Sequence, residues 1–279
     1  MNTPGVQSVA FLVVAVAALA LLVRLLEPRM AFFPTRGEQA TPAAHGVSYE
    51  PLVLDTADGE TIHGWMLRHP TPRATIVYWH GNGGNLSVWL DQLLAIYHRQ
   101  LTVVAIDYRG YGLSSGRPSE RGVYLDTDAL LDRVRAERDA RETPIVYWGR
   151  SLGGPIAAYA ASVLPPDGLI LESTFPSVRA LLAGNLVMRT LGMFATYRFP
   201  TLERARLYDG PILVMHGDRD DVVPYHLGVA LHAGLPEPAA LVRIAGGGHN
   251  DLHSATAPGY WAPVDRLLDA ATRYRAGRS

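Results

Sequence analysis

A serine at position 151 lies where a strand-forming segment passes abruptly into a helix-forming one. Residues 149–154 read Gly-Arg-Ser-Leu-Gly-Gly, after the apolar stretch 144–148 and before the small apolar residues of 155–161. A turn this sharp needs a backbone conformation that bulky neighbours resist, and the glycines two positions before and after the serine leave room for it. The pattern predicts a serine hydroxyl raised above the end of a buried strand, at a helix N-terminus that favours developing negative charge.

A serine hydroxyl is a poor nucleophile at neutral pH, and it needs a base together with a group that orients the base. Two later segments supply both kinds of residue. Residues 216–224 read His-Gly-Asp-Arg-Asp-Asp-Val-Val-Pro after one apolar strand, and residues 246–251 read Gly-Gly-Gly-His-Asn-Asp after another. The residues alone leave three carboxylates open for the orienting role, namely Asp218, Asp220 and Asp221.

The same two loops offer an alternative, a metal site built from histidine and aspartate. Its ligands would be His216, Asp218, His249 and Asp251. No two of them show the i, i+4 spacing that places two ligands on one helix face, so nucleophilic catalysis is favoured. His253 lies close by and is interpreted as a surface residue.

Apolar strand segments alternate with helical segments along most of the chain. The predicted strands are 47–54, 61–67, 74–79, 101–106, 144–148, 168–172, 211–216 and 240–244. The predicted helices are 86–97, 119–136, 176–199, 225–233 and 258–274. Asn85 is placed to cap the first helix, and the Asp58-Gly59 turn makes a hairpin of the first two strands. The alternation predicts an α/β fold, with a mostly parallel sheet and helices on both faces.

Composition removes several classes of chemistry. The 279 residues include no cysteine and no lysine, which excludes disulfides, thiolate nucleophiles, Schiff bases and serine–lysine dyads. The formal net charge is −1 and no basic stripe stands out, so a nucleic-acid partner is not expected. We expect neither a cofactor nor a metal.

Taken together, these segments resemble the α/β-hydrolase-fold serine hydrolases, in particular the small, short-capped members that carry an N-terminal membrane segment. The resemblance runs from about Phe33 to the C-terminus. Its motifs are His-Gly-Asn-Gly-Gly-Asn at 80–85, Asp-Tyr-Arg-Gly-Tyr-Gly at 107–112, Gly-Arg-Ser-Leu-Gly-Gly at 149–154, His-Gly-x-x-Asp-x-x-Val-Pro at 216–224 and Gly-His-Asn-Asp at 248–251.

The resemblance implies a role for five residues of this chain. Ser151 would be the nucleophile, His249 the base and Asp220 the acid that orients the base. The backbone amides of Asn82 and Leu152 would form the oxyanion hole. Asp107 and Arg109, by contrast, are expected to brace a neighbouring loop.

The activity that the resemblance implies is cleavage of carboxylic esters or thioesters through an acyl-enzyme, because the family includes lipid esterases and acyl-protein thioesterases. An amidase-type acyl hydrolase and a membrane-tethered, non-catalytic scaffold are the alternatives. Residues 176–208 are expected to form a short cap. Its leucines and methionines either pack on the core or line an apolar acyl pocket.

The N-terminus carries an apolar run at 6–26, which is unbroken from 9 to 23 and long enough to cross a bilayer. A cleaved signal peptide would have a basic residue before its apolar run, and none precedes this one. The run also lacks the polar face that a helix of a soluble protein would show. Three arginines lie just after the unbroken part of the run, at 24, 29 and 36. The positive-inside rule then predicts a single-pass protein with its catalytic domain on the cytoplasmic side.

These features divide the chain into a membrane anchor at 1–29 and a hydrolase domain at 30–279 that includes the cap. Every motif and every sheet strand lies after residue 29. We therefore expect the domain to stay soluble, folded and active without its anchor. The oligomeric state is left open.

Overall fold

The fold was analysed in a computed structural model that describes residues 4–140, 143–252 and 259–278. Its strands are β1 (Phe33–Pro34), β2 (Glu50–Asp55), β3 (Thr61–Leu67), β4 (Ala74–Trp79), β5 (Gly83–Gly84), β6 (Leu101–Ile106), β7 (Ile145–Arg150), β8 (Gly168–Glu172), β9 (Ile212–Gly217) and β10 (Ala239–Ile244). In these residues one sheet has eight strands, in the order β10-β9-β8-β7-β4-β6-β3-β2. The β2–β3 and β3–β6 pairs are antiparallel and the other neighbours are parallel.

Helices lie on both faces of this sheet. The α-helices of the described residues are α1 (Pro4–Ala31), α2 (Leu90–Tyr97), α3 (Glu120–Ala140), α4 (Gly153–Val163), α5 (Val178–Leu182), α6 (Leu186–Leu191), α7 (Thr201–Ala205), α8 (Tyr225–Ala233) and α9 (Trp261–Ala276). Buried side chains of α3, α4 and α8 belong to one core cluster, and those of α2 and α9 to a second. The predicted α/β fold with a mostly parallel, two-sided sheet is confirmed.

Strand β4 shows why the sheet must be covered on both faces. Its alternate residues Val77 and Trp79 belong to one core cluster, while Ile76 and Tyr78 belong to the other. All six of its side chains are buried. A central strand that buries both of its faces reads as a continuous apolar run, which is how this strand reads in the sequence.

The parallel strands bring the predicted site residues to one edge. The segments that leave β4, β7, β9 and β10 carry Asn82, Ser151, Asp220 and His249. Carboxyl ends of parallel strands meet at the same edge of a sheet, and ligands of open α/β sheets bind there. The strand order alone therefore gathers four side chains that lie up to 167 positions apart in the chain.

Helix α2 begins later than predicted. Asn85 does not cap it: its Oδ1 accepts a hydrogen bond from the Val88 amide at 3.2 Å, and its Nδ2 donates to the Gly37 carbonyl at 2.7 Å. The residues after Asn85 form turns and the helix starts at Leu90. The expectation that Asn85 caps α2 was wrong, because its Oδ1 accepts from the first turn at 86–89 and the helix itself starts only at Leu90.

The predicted helix 176–199 is broken in the structure. Ser177 caps the short helix α5, and a second cap at Asn185 accepts a hydrogen bond from the Met188 amide at 3.1 Å to start α6. Neither helix has a buried residue. Helix α7 at the end of the cap, in contrast, buries Thr201 and Ala205 against the hydrolase core.

Helix α1 is a single continuous helix, and its stretch Ser8–Ala31 has the length and hydropathy of a membrane span. Most side chains between Ser8 and Leu26 are exposed, so the apolar run is not a core helix of the domain. The helix extends two residues past the predicted end of the anchor. The division at residue 29 stays a prediction.

Candidate active site

Ser151 occupies the strained turn that the glycine spacing predicts. Its φ angle is 53°, in the left-handed region that a residue with a Cβ rarely adopts. A Cβ at Gly149 would overlap the carbonyl of Gly153, and a Cβ at Gly153 would overlap the carbonyl of Trp79. The turn is held by the Ser151 amide, which donates to the Glu172 carbonyl at 2.9 Å. The serine is thus fixed over the end of β7 by a backbone that admits no larger neighbours.

His249 and Asp220 complete a chain of hydrogen-bonding groups that begins at Ser151. Nε2 of His249 lies 3.1 Å from Oγ of Ser151, and Nδ1 of His249 lies 2.8 Å from Oδ2 of Asp220. The exposed fractions of the three residues are 7%, 9% and 7%. A neutral imidazole that donates from Nδ1 to a carboxylate leaves Nε2 as an acceptor, which is the tautomer that a general base for Ser151 needs.

The carboxylate of Asp220 is held ionised. Burial by itself raises its pKa, but hydrogen bonds from His216, His249 and the Val223 amide outweigh burial and bring the pKa well below its ordinary value. The Val223 and Val222 amides lie 2.7 Å and 3.0 Å from Oδ1. A carboxylate that is charged and fixed in this way can orient His249 and stabilise its protonated form.

The other acidic residues of these loops have different partners. Asp218 accepts a hydrogen bond from the Gly246 amide, and Asp251 accepts one from the Gly248 amide, both at 2.7 Å. Asp221 is exposed. His253 lies outside the described residues. Within the described ranges, no group of three or more histidine, aspartate or glutamate residues could hold a metal ion.

The loop after β4 carries Asn82 to the cavity that also contains Ser151 and Leu152. The Asn82 carbonyl accepts hydrogen bonds from the Tyr111 hydroxyl at 2.7 Å and from the Phe33 amide at 2.9 Å. These two hydrogen bonds hold the carbonyl side of the Asn82 peptide. The parallel pairing of β1 with β5 holds the residues that follow it. The pairing of β1 with β5 was not predicted, because strands of two residues carry no periodicity.

Asp107 and Arg109 hold loops next to the site. Oδ1 of Asp107 accepts from the Leu86 amide at 2.8 Å, and Arg109 binds both Asp126 and Asp58. Burial raises the pKa of Asp107 to about 7. The bracing contacts predicted for Asp107 and Arg109 are present.

Arg150 is a site neighbour that sequence reasoning missed. Its guanidinium donates to the His249 carbonyl and lies 4.8 Å from the ring centroid of Trp89, and its Nε lies 3.6 Å from Glu172. Only 2% of it is exposed. Arg150 stands between the fixed residues of the motif, at a position where the pattern accepts any residue, so no local signal marks it.

A cavity of about 340 Å³ opens over Ser151. Its walls are mostly apolar and come from the cap, from the loop after β9 and from α1. Among the cap residues at the cavity are Val178, Leu181, Leu182, Met188, Leu191 and Phe199. The contribution of α1 was not predicted.

Comparisons with known proteins agree with this architecture. Residues 74–206 match the model of the α/β hydrolase fold family. An uncharacterized protein of Mycobacterium tuberculosis is 30% identical over 245 residues, which are 87% of each chain. An uncharacterized membrane protein of Saccharomyces cerevisiae is 30% identical over 84% of each chain. The α/β hydrolase domain-containing protein WAV2 of Arabidopsis thaliana is 28% identical over 92% of this chain and 91% of its own.

Solved structures share the fold at low sequence identity. An esterase from Pyrococcus furiosus superposes with a TM-score of 0.70 at 16% identity, over 86% of this chain and 97% of the esterase. A Xanthomonas campestris α/β serine hydrolase without a lid gives 0.58 at 23%, over 86% and 98%. The shared fold is that of the α/β hydrolases. The chain belongs to the α/β-hydrolase family. Its helix α1 has the length and hydropathy of a membrane span, and the Saccharomyces cerevisiae relative is called a membrane protein.

Proposed function

We propose that the protein is a serine hydrolase that cleaves carboxylic esters or thioesters through an acyl-enzyme intermediate. The observation that carries the proposal is the continuous hydrogen-bonded series from Ser151 Oγ through His249 to Asp220, with distances of 3.1 Å and 2.8 Å. A nucleophile, a base and an orienting acid within hydrogen-bond reach of one another are what acyl transfer requires.

In the proposed reaction, Oγ of Ser151 attacks the carbonyl carbon of the substrate while Nε2 of His249 takes the hydroxyl proton. The amides of Asn82 and Leu152 stabilise the negative charge that develops on the carbonyl oxygen. The tetrahedral intermediate collapses, the leaving alcohol or thiol takes the proton from His249, and an ester remains on Ser151. Water activated by His249 then attacks this ester and releases the carboxylic acid.

The cavity beside Ser151 supports the proposed substrate class. Its volume of about 340 Å³ and its apolar walls suit a fatty acyl group. A medium-length acyl chain, such as decanoyl, is the size that we propose for this cavity. We expect kcat/KM on p-nitrophenyl esters to rise from acetate to about decanoate and then to fall, whereas a steady fall from acetate onward would mean that the cap only packs on the core.

The membrane part of the proposal is a single span by α1 with the hydrolase domain on the cytoplasmic side. It rests on the span Ser8–Ala31 and on the arginines that follow the apolar run. Protease protection in sealed vesicles tests the side of the membrane.

Labelling with a fluorophosphonate probe tests the chemistry. We expect the wild-type protein to be labelled and Ser151→Ala to lose both labelling and ester hydrolysis. Ser173→Ala is the matched control, since Ser173 also follows a parallel strand with a positive φ angle of 46°. Labelling that persists in Ser151→Ala would contradict the assignment of the nucleophile, and a wild-type protein without labelling would favour the non-catalytic scaffold.

A further inference from the structure

One face of α1 lines the cavity over Ser151. Seven α1 residues touch this cavity, namely Leu19, Leu22, Val23, Leu26, Glu27, Met30 and Ala31. Their spacing of three and four positions places them in one stripe along the helix. The stripe begins about three helical turns before the end of α1, so the cavity extends along the span and not merely beside its last residue.

The opposite face of the same helix has no such contact. Leu21 and Leu25 do not line the cavity, whereas their neighbours Leu22 and Leu26 do, although Leu22 and Leu26 are themselves 52% and 38% exposed. Adjacent apolar residues of α1 therefore fall into two classes, one that faces the cavity and one that faces outward, where a bilayer would cover it. Anchoring in a membrane does not require contact with the hydrolase domain, so the stripe of α1 at the cavity of Ser151 points to a second role for this helix.

Glu27 joins α1 to the cap. Its carboxylate accepts hydrogen bonds from the Thr196 amide at 2.8 Å and the Tyr197 amide at 2.6 Å, and from the Thr196 hydroxyl at 2.6 Å. Only 8% of Glu27 is exposed. A carboxylate within an apolar span is costly unless it has specific partners, so this residue marks a specific contact.

The end of α1 is also tied to the loop that carries Asn82. The chain passes from Ala31 directly into β1, where the Phe33 amide donates to the Asn82 carbonyl at 2.9 Å. Residues 19–33, which are the end of α1 and the start of β1, thus line the cavity, bind the cap and hold the loop beside Ser151.

From these contacts we infer that α1 forms one wall of the acyl-binding site, and that its cavity-facing side chains determine which fatty acyl chain the site accepts. The inference rests on the proposed serine-hydrolase function. The ligand is the hydrocarbon chain of a fatty acyl ester of about ten carbon atoms, which lies between the cap and the stripe of α1 with its carbonyl carbon at Ser151.

Tryptophan substitutions on the two faces of α1 test the inference in the full chain, held in phosphatidylcholine nanodiscs. The quantity measured is the ratio of kcat/KM for p-nitrophenyl decanoate to that for p-nitrophenyl acetate. Leu22→Trp and Leu26→Trp fill the cavity, and we expect the ratio to fall about tenfold, the loss of roughly two buried methylene groups. Leu21→Trp and Leu25→Trp make the same chemical change on the outer face and should leave the ratio at its wild-type value.

Leu22→Ala extends the test in the other direction. It enlarges the cavity without adding bulk, and the preferred ester should move to a longer chain. Equal ratios for Leu22→Trp, Leu26→Trp and the two outer-face variants, together with an unchanged chain-length optimum in Leu22→Ala, would overturn the inference. A wild-type protein without Ser151-dependent hydrolysis of acetate would instead overturn the proposed function, so the two failures are distinguishable.

Discussion

The two sides of the cavity are built differently. On the sheet side, Ser151, Asp220 and His249 are buried. Backbone hydrogen bonds hold Ser151 and Asp220, and the Arg150 guanidinium donates to the His249 carbonyl. On the opposite side, the short helices α5 and α6 have no buried residue, and Leu186 and Val187 are 68% and 65% exposed. Under the proposed function, the reacting side chains are attached to the packed core, whereas the surface proposed for the acyl chain belongs to the cap and to a helix outside the sheet.

Under the proposed function, the two sides of the cavity have separate tasks. Side chains that move protons need fixed distances, and a packed parallel sheet supplies them. Side chains that contact a hydrocarbon chain need only apolar area, which short helices can provide without a core of their own. Changes on the sheet side should therefore alter turnover of every ester, and changes on the cap and α1 should alter the preference among esters.

The largest effect is expected on the sheet side, for Asp220→Asn. The change removes the charge that orients His249 and should lower kcat by about 10⁴-fold for acetate and decanoate alike. Asp221→Asn is the matched control, because this neighbouring carboxylate is exposed and should cost less than about threefold. Steady-state kinetics decide the matter: if Asp221→Asn were the damaging change, the acid would be misassigned by one position.

Removal of residues 1–29 should change the preference of the protein among esters of different acyl chain length. The truncation deletes most of the α1 stripe together with Glu27, and we expect the decanoate-to-acetate ratio of kcat/KM to fall by roughly 30-fold, about two kcal/mol of lost acyl contact. Circular dichroism and cooperative thermal unfolding should show a folded, soluble domain that still hydrolyses acetate. Deletion of residues 1–7 serves as the control, and aggregation of the 1–29 deletion alone would mean that α1 is required for the fold itself.

A smaller effect is expected for Glu27→Gln. The amide keeps one acceptor oxygen where the carboxylate has two, so the hydrogen bonds to Thr196 and Tyr197 weaken by about 1 kcal/mol. Hydrogen exchange of the segment around these two residues should become about fivefold faster. Glu203→Gln changes an exposed glutamate of the same region and should leave this exchange rate as it is. Equal rates in both variants would show that Glu27 does not hold the cap.

A further expected effect concerns the stability of the fold and not catalysis: it arises from Asp107 and depends on pH. The pKa of about 7 in the folded protein lies above the ordinary value of 3.8, so the folded state binds this proton more tightly than the unfolded state. The stabilising contribution is complete below about pH 4 and is lost as pH rises to 7, by about 1 kcal/mol per pH unit. Asp107→Asn does not titrate and retains an acceptor for the Leu86 amide. Its Tm relative to wild type should rise by about 2–4 °C per unit between pH 5 and 7 and stay level above pH 7, whereas a pH-independent difference would contradict the assignment.

The sequence predicted what local chemistry determines. The order of strands and helices, the turn at Ser151 and the loops that carry Asp220 and His249 follow from periodicity and from motifs of fewer than ten residues. The break between α5 and α6 was missed because the apolar pattern continues across a cap at Asn185. The role of Glu27 depends on partners 169 and 170 positions away, yet a lone carboxylate at the end of an apolar run was a visible signal.

The crowding around Ser151 has an evolutionary consequence. Gly149 and Gly153 are required by the backbone itself, because a side chain at either position would overlap a main-chain carbonyl. Selection for folding alone retains them, even in a descendant that no longer turns over a substrate. Selection for folding acts against Ser151, because its φ of 53° lowers the stability of the fold by on the order of 1 kcal/mol relative to a glycine. In a lineage released from catalysis, position 151 should therefore drift toward glycine while the glycines that flank it persist.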